Sequence, residues 1–337
     1  MISGYFLARD LNRKAPDFDG ATGWINSPPV HAASLHGKVI LVDFWTLSCI
    51  NCIRTFPYLK AWDEKYRDKG LVIIGVHTPE FAFEQSSERV QEAVTTFGLR
   101  YPIALDNNRA LWDGFANHWW PHKYLLDDTG RIRNEFIGEG DYDRVEQTIQ
   151  RLLAERHGGP PAREITPVVA ETTDPKKIGT PEIYFGTSFV PDGGTFALGN
   201  QPAGSIENQT VSYLLPEAAA MAPNQFYLDG KWAIRAEKAE FMGEGQGRVL
   251  LSYEARAVNV VSEHPDRPAL VYVLYDGKPL TRSQAGPDVK FDAGGRSYVT
   301  VTSGRMYRLI NDADYGRHQL ELQTAEKGFA VYTLTFG

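Results

Sequence analysis

The chain has 337 residues, 42% hydrophobic and 23% charged, which is ordinary for a soluble globular protein and enough for two sizeable cores. A formal net charge of -7 and the lack of any basic run argue against a nucleic-acid partner. Two cysteines exclude a multi-disulfide secreted scaffold, so whatever the pair does it does together.

No run approaches the ~18 apolar residues of a membrane-spanning helix. Met1 to Ala8 lack the apolar length of a signal peptide. The chain reads either as cytosolic or as a soluble fragment of a longer protein whose anchor has been removed. Residues 1–37 are loop-rich, punctuated by Lys14-Ala15-Pro16-Asp17-Phe18 and Asn26-Ser27-Pro28-Pro29. Val39-Ile40-Leu41-Val42 then starts a buried strand over 39–45. Further on, Ile53, Phe56, Leu59, Trp62 and Tyr66 recur every three or four residues, the stripe of a helix, with Pro57 inside it predicting a kink.

A second buried strand covers 71–76, and a helix over 86–97 closes at Gly98. Residues 101–105 read as a short strand and 109–115 as a short helix. Strands over 123–126 and 132–137 are joined by the turn Asp128-Thr129-Gly130. Asp141 starts a last helix with Val145, Ile149, Leu152 and Leu153 inward, ending before Gly158-Gly159. This order predicts an α/β domain over 1–158 with its sheet covered on both faces.

Residues 159–177 read as a linker, beginning at a Gly-Gly-Pro-Pro run and containing Pro167 and Pro175. Beyond it, 248–261, 269–275, 298–302, 306–310, 319–323 and 329–336 are strand-like, several separated by Gly-containing turns. The only helical pattern is a weak one near 216–222. Residues 178–337 therefore read as an all-β domain, a jelly-roll sandwich.

The chemistry sits between the first strand and its helix, at Cys49-Ile50-Asn51-Cys52. Two thiols at i and i+3 on a helix start close a disulfide with little backbone movement. Cys49 stands where unpaired helix N–H groups and the helix dipole favour a thiolate, making it the attacking sulfur. Cys52, one turn deeper, resolves the mixed disulfide. Ile50-Asn51 supplies no fixed positive charge. A structural zinc site would need a second pair, and neither His77 nor His118 stands at ligand spacing, so no metal is expected.

Val42-Asp43-Phe44-Trp45, Cys49-Ile50-Asn51-Cys52, Pro57 and Trp120-Pro121 before Leu125-Leu126-Asp127 together resemble the thioredoxin superfamily. The likeness is strongest to its TlpA-like and cytochrome c maturation branch. The resemblance implies a cis bond at Pro121 beside the active disulfide, where the neighbouring backbone pairs with substrate. Threonine is common after that proline in relatives; here it is His122. Trp45, Trp120 and His122 are accordingly expected to face substrate, and Trp119 is open between that role and core packing. The resemblance also places Asp43 beneath Cys52 as a buried proton acceptor. Gly75-Val76-His77-Thr78-Pro79-Glu80 is similar to the branch's signature, in which the glutamate, here Glu80, reaches the dithiol.

Residues 224–232, 273–280, 306–309 and 330–337 resemble the C-terminal domain of the DipZ family. There a CcdA-like membrane electron carrier precedes a thioredoxin-like domain and a sandwich resembling carbohydrate-binding modules. The resemblance implies a thiol-disulfide oxidoreductase without a bound cofactor, acting on protein disulfides on the extracytoplasmic, periplasmic side. Membrane attachment would come through a region absent from this chain, and a fused or separate CcdA-like partner would favour the reductase direction. Trp232, Tyr272 and Tyr275 are the aromatic candidates for a carbohydrate on the second domain. Two alternatives stay open. Thr46-Leu47-Ser48-Cys49 has the TxxC spacing of a peroxiredoxin, though with Val42 where that family has proline. A carbohydrate- or protein-binding module with a non-catalytic CxxC is the other.

Overall fold

A computed structural model describes residues 12–187, 194–202, 207–217 and 220–337. Met1 to Ala8 and part of the stretch near 216–222 lie outside the described residues. The chain divides into two compact units, Met1–Thr172 and Thr173–Gly337.

The first unit is built on a six-stranded sheet of order β1-β4-β3-β2-β5-β6. Its central strand β2 (Val39–Trp45) is buried at all seven positions, which is why its sequence is a continuous apolar run rather than an alternation. β3 (Leu71–His77) lies parallel to β2, Val39 opposite Leu71 and Trp45 opposite His77. A parallel neighbour needs a crossover, and α1 (Ile50–Tyr66) provides it. The predicted stripe is its buried face: Phe56, Leu59, Trp62 and Tyr66 are each at most 2% exposed. Pro57 lies within α1, which runs through it as one element. Gly75 is required by a close approach: a Cβ there would sit 2.7 Å from Ile103 Cδ1 and 3.0 Å from Trp45 Nε1.

α2 (Ser87–Phe97) starts on the Ser86 hydroxyl, which accepts from the Arg89 N–H, and stops at Gly98 with φ of 66°. β4 (Ile103–Leu105) continues the parallel set. α3 (Ala110–Gly114) leads to the hairpin of β5 (His122–Leu126), antiparallel to β2, and β6 (Ile132–Ile137), antiparallel to β5. The Asp127 side chain closes that hairpin by accepting from the N–H groups of Thr129 and Arg131. The three-residue edge strand β1 (Gly23–Ile25), antiparallel to β4, falls in a stretch whose sequence reads as loop.

α4 (Tyr142–His157) buries Val145, Ile149, Leu152 and Leu153 and ends at Gly158. It also buries Glu146, which accepts from Tyr66 Oη at 2.6 Å, Lys65 Nζ at 3.0 Å and the Thr166 backbone N–H at 2.9 Å. Residues 159–172 contain no helix or strand, yet Glu146 thereby ties their middle to the first unit.

The second unit is all-β. Its strands are β7 (Glu182–Tyr184), β8 (Gly194–Phe196), β9 (Thr210–Tyr213), β10 (Phe226–Ile234), β11 (Ala239–Phe241) and β12 (Gly247–Glu263). They continue as β13 (Ala269–Tyr275), β14 (Lys278–Pro279), β15 (Lys290–Phe291), β16 (Ser297–Val301), β17 (Arg305–Thr324) and β18 (Ala330–Phe336). Hydrogen bonds join them in one network, with β12 pairing β10 through its first half and β18 through its second. β17 accompanies β12 along its length, with a register shift at Ala255/Ala257. One apolar core takes side chains from almost every strand, so the sheet curls around it. The two strands expected over 306–310 and 319–323 are one element, β17, which crosses 312–315 as an irregularity between the β12 pairs Asn311–Ala257 and Gly316–Ala255.

Burial works against the Glu146 charge, but bonds from Thr166, Tyr66 and Lys65 outweigh it and hold the carboxyl below its ordinary value. Its stabilising contribution is therefore present above the unfolded-chain value and lost as pH falls through the folded one. Glu146→Ala is expected to cost about 3 kcal/mol, by stranding buried donors, and to expose Arg163 to trypsin. Urea unfolding at pH 7 and pH 3.5 checks it: the gap between variant and parent should shrink at the lower pH.

Candidate active site

The dithiol forms where β2 ends and α1 begins. Cys49 is the N-cap residue of α1, with φ -83° and ψ 113°, and its Sγ accepts from the Cys52 backbone N–H at 3.2 Å. Both cysteines are free thiols; Cys49 is half-buried and Cys52 fully buried. Strand and cap geometry thus produce one accessible sulfur and one protected sulfur a turn below it.

Asp43, Lys123 and Glu84 are buried charged groups around this turn. Asp43 lies on β2 directly across from Lys123 on β5, and both are at most 1% exposed. Neither Asp43 carboxylate oxygen has a hydrogen-bond partner among the described residues. Burial raises its pKa to about 7, and the Lys123 charge pulls it back only in part. Lys123 donates to the Gly138 carbonyl at 2.8 Å; burial lowers its pKa, opposed by Asp43, Cys52 and Glu139. Burial pushes the Cys52 thiol well up, as do the Cys49 sulfur and Asp43. A carboxyl that titrates near neutrality beside a reluctant thiol is a suitable proton acceptor for it.

The third group is Glu84, wholly buried. Its Oε1 accepts from the Ser48 N–H at 3.1 Å and hydroxyl at 2.6 Å. Its Oε2 accepts from the backbone N–H groups of Glu80 at 2.7 Å and Phe81 at 3.0 Å. One carboxylate thereby ties the residue before Cys49 to the loop after β3. Burial raises its pKa, and the bonds from Ser48 and Phe81 oppose this. Glu80 is half-buried, and its carboxylate is among the charges acting on Arg109. Glu84, four residues beyond the expected Glu80, is thus a further glutamate tied to the dithiol loop.

The Trp120–Pro121 bond is cis, Pro121 is buried, and its carbonyl accepts from the Gly138 N–H at 2.8 Å. Trp120 is half-buried, donates its indole N–H to the Thr78 carbonyl and rests on Trp112 at 4.2 Å. The Arg109 guanidinium lies over both rings. Two expected substrate-facing residues are core instead. Trp45 is 0% exposed, since β2 is covered on both faces, and packs edge-on against Phe56 and His77. His122 is also 0% exposed, its Nδ1 paired with Asn117 and its Nε2 3.4 Å from Glu135. Trp119 is half-buried, with its ring edge-on to His122. His77 is buried with its pKa lowered to about 3 by desolvation, so it is a neutral core residue.

In the second unit Trp232 is 0% exposed and bonded to the Asp229 carbonyl, and Tyr275 is buried and bonded to Asp312. Neither forms an open sugar platform. Tyr272 is half-buried beneath the Arg296 guanidinium, 4.5 Å from its ring centre.

The raised Asp43 pKa fixes a stability sign. The folded state holds this proton more tightly than the unfolded chain, so stability falls as pH rises from about 3.8 to about 7. Asp43→Asn should remove that slope, which amounts to on the order of 4 kcal/mol across the window. Denaturant unfolding of parent and variant at half-unit pH steps checks it.

Residues 180–337 match the family described as thioredoxin like C-terminal domain, and residues 11–151 match redoxin. Protein DipZ of Mycobacterium tuberculosis (strain CDC 1551 / Oshkosh) is 35% identical over 326 residues, 96% of this chain and 43% of DipZ. The chain therefore spans less than half the length of that relative. Thiol-disulfide oxidoreductase YkuV of Bacillus subtilis (strain 168) is 28% identical over 145 residues, 43% of this chain and 97% of YkuV. A solved thioredoxin-like protein in its oxidized form is 29% identical, covering 43% of this chain and 98% of its own, with a TM-score of 0.40. The chain is a DipZ homologue matching less than half of that protein, with a thioredoxin-like unit of the thiol-disulfide oxidoreductase kind followed by a strand-rich unit of the thioredoxin like C-terminal domain family.

Proposed function

We propose that the Cys49–Cys52 dithiol reduces disulfides in extracytoplasmic proteins and is itself re-reduced by a CcdA-like membrane carrier, fused or separate. The observation that carries this reading is the asymmetry of the pair: a half-buried Cys49 sulfur at a helix cap, and Cys52 wholly buried with Asp43.

The Cys49 thiolate attacks one sulfur of a substrate disulfide and displaces the other as a thiolate, which takes up a proton. Cys52 then passes its proton to Asp43 and attacks Cys49 Sγ. This releases the second substrate thiolate and leaves Cys49–Cys52 oxidised by two electrons. The carrier returns those two electrons, and the thiols regain their protons. In this reading the backbone beside Pro121 pairs with the extended substrate, as the family resemblance implies. Half-buried Trp120 then faces the substrate, and half-buried Glu80 is a second carboxylate acting at the dithiol. The domain division follows the same proposal: 1–158 for redox chemistry, 159–177 as linker, 178–337 as a docking or shaping module.

A periplasmic location, with membrane attachment through a region outside this chain, follows from the family resemblance. Among the described residues no helix is long and apolar enough to cross a membrane. The peroxidase reading is less well supported. Thr46, which would polarise peroxide at the thiolate, is wholly buried.

Cys52→Ser is expected to trap client proteins as mixed disulfides on Cys49, visible on non-reducing gels and released by dithiothreitol. Cys49→Ser should trap none and reduce insulin no faster than buffer. Asp43→Asn should slow turnover about 10- to 100-fold near pH 7. Undiminished disulfide reduction by the Cys49→Ser, Cys52→Ser double variant would overturn the reading.

A further inference from the structure

The sequence between the cysteines carries no cation, yet the fold brings one to them. Arg54 lies one turn into α1 and is only 5% exposed. Its Nη2 donates to Asn51 Oδ1 at 2.6 Å, and Asn51 is one of the two residues between the cysteines. Its other bonds are a two-point clamp on Glu139: Nε to Oε2 at 2.8 Å and Nη2 to Oε1 at 2.7 Å. Charge-assisted forks of this kind fix geometry as well as charge.

Glu139 stands between Gly138 and Gly140, whose φ angles of 76° and 96° are open to glycine but strained for other residues. Gly138 itself bonds to the Pro121 carbonyl and receives Lys123 Nζ. One short loop therefore holds the cis-proline, the buried lysine and, through Glu139, the arginine that grips the dithiol turn. Burial disfavours the Arg54 charge, but Glu139 more than restores it, and the Cys49 sulfur and Glu171 also act on the guanidinium. Arg54 is a permanent buried cation, and its one carboxylate clamp is only partly exposed, at 27%.

We infer that Arg54 is a positioning and electrostatic residue of the redox couple: its cation favours the Cys49 thiolate over the disulfide, and Glu139 tempers that cation. This rests on the reading of Cys49–Cys52 as a redox-active pair. It makes a prediction of opposite signs. Arg54→Gln removes the cation and should shift the equilibrium with glutathione about three- to tenfold toward the disulfide. Glu139→Gln leaves the cation untempered and should shift it a similar factor toward the dithiol. Each variant should melt lower than the parent, since each breaks the same clamp. Arg54→Lys keeps the charge without the fork, so it should melt lower but titrate close to the parent.

The test is a glutathione titration of the Cys49–Cys52 couple in all four proteins, alongside thermal melts. Opposite shifts of the two glutamine variants, both with lowered Tm, support the inference. Shifts of the same sign, or none, overturn it, as does Arg54→Lys titrating like Arg54→Gln. If Arg54→Gln does not fold, Glu139→Gln decides alone: a shift toward the dithiol supports, and no shift or the reverse overturns. A parent protein that forms no Cys49–Cys52 disulfide at any glutathione ratio would instead sink the redox reading itself.

Discussion

A carboxyl taken out of water without hydrogen bonds is costly to ionise, and the first unit places one, Asp43, in the middle of a strand buried at every position, where it holds its proton up to about pH 7. The fold answers that cost with a second buried charge, Lys123, set across the β2–β5 ladder rather than along the same strand. Register is what makes the pair. A slip of one residue would turn Asp43 and Lys123 to opposite faces and leave each charge alone in an apolar layer. Below them in the chain, Cys52 is buried against the same carboxylate, so its proton and that of Asp43 are set by one environment.

The dithiol is held from two further directions. Glu84 fixes the backbone just before Cys49 to the loop after β3. Arg54 fixes the turn between the cysteines to the loop after β6. A thiol pair that cycles between bonded and free needs a turn that barely moves, and these carboxylate-centred ties supply that rigidity. Half-buried Trp120 rests on Trp112, with the Arg109 guanidinium over both rings. Reactivity is thus presented on one sulfur while the proton chemistry stays buried.

The α/β unit was legible in the sequence wherever burial imposes a pattern. The run over 39–45, the stripe from Phe56 to Tyr66, and the glycine stops at Gly98 and Gly158 each follow from the element they end in. The dithiol was legible because only strand, turn and helix in that order put two cysteines at a cap. Burial of particular aromatics was not: nothing in Trp45 or His122 distinguishes a covered face from an open one, and β2 is covered on both. Glu84, Lys123 and Arg54 were illegible for a different reason. Their partners lie 36, 80 and 85 positions away, respectively, and no local spacing encodes such contacts. In the second unit, the strands over 306–310 and 319–323 read as separate because the residues between them lack an apolar pattern, while Asn311 and Gly316 stay paired with β12 on either side of an irregularity that no side chain reports.

The central claim is that this pair is a reducing dithiol, and its reduction potential tests that most directly. Equilibration of the intact chain with graded glutathione mixtures, read by alkylation of free Cys49 and Cys52, yields the value. The account predicts a couple at or below roughly -200 mV, in the range of thioredoxins and glutaredoxins. A value near roughly -120 mV, that of a strong disulfide donor, would contradict it.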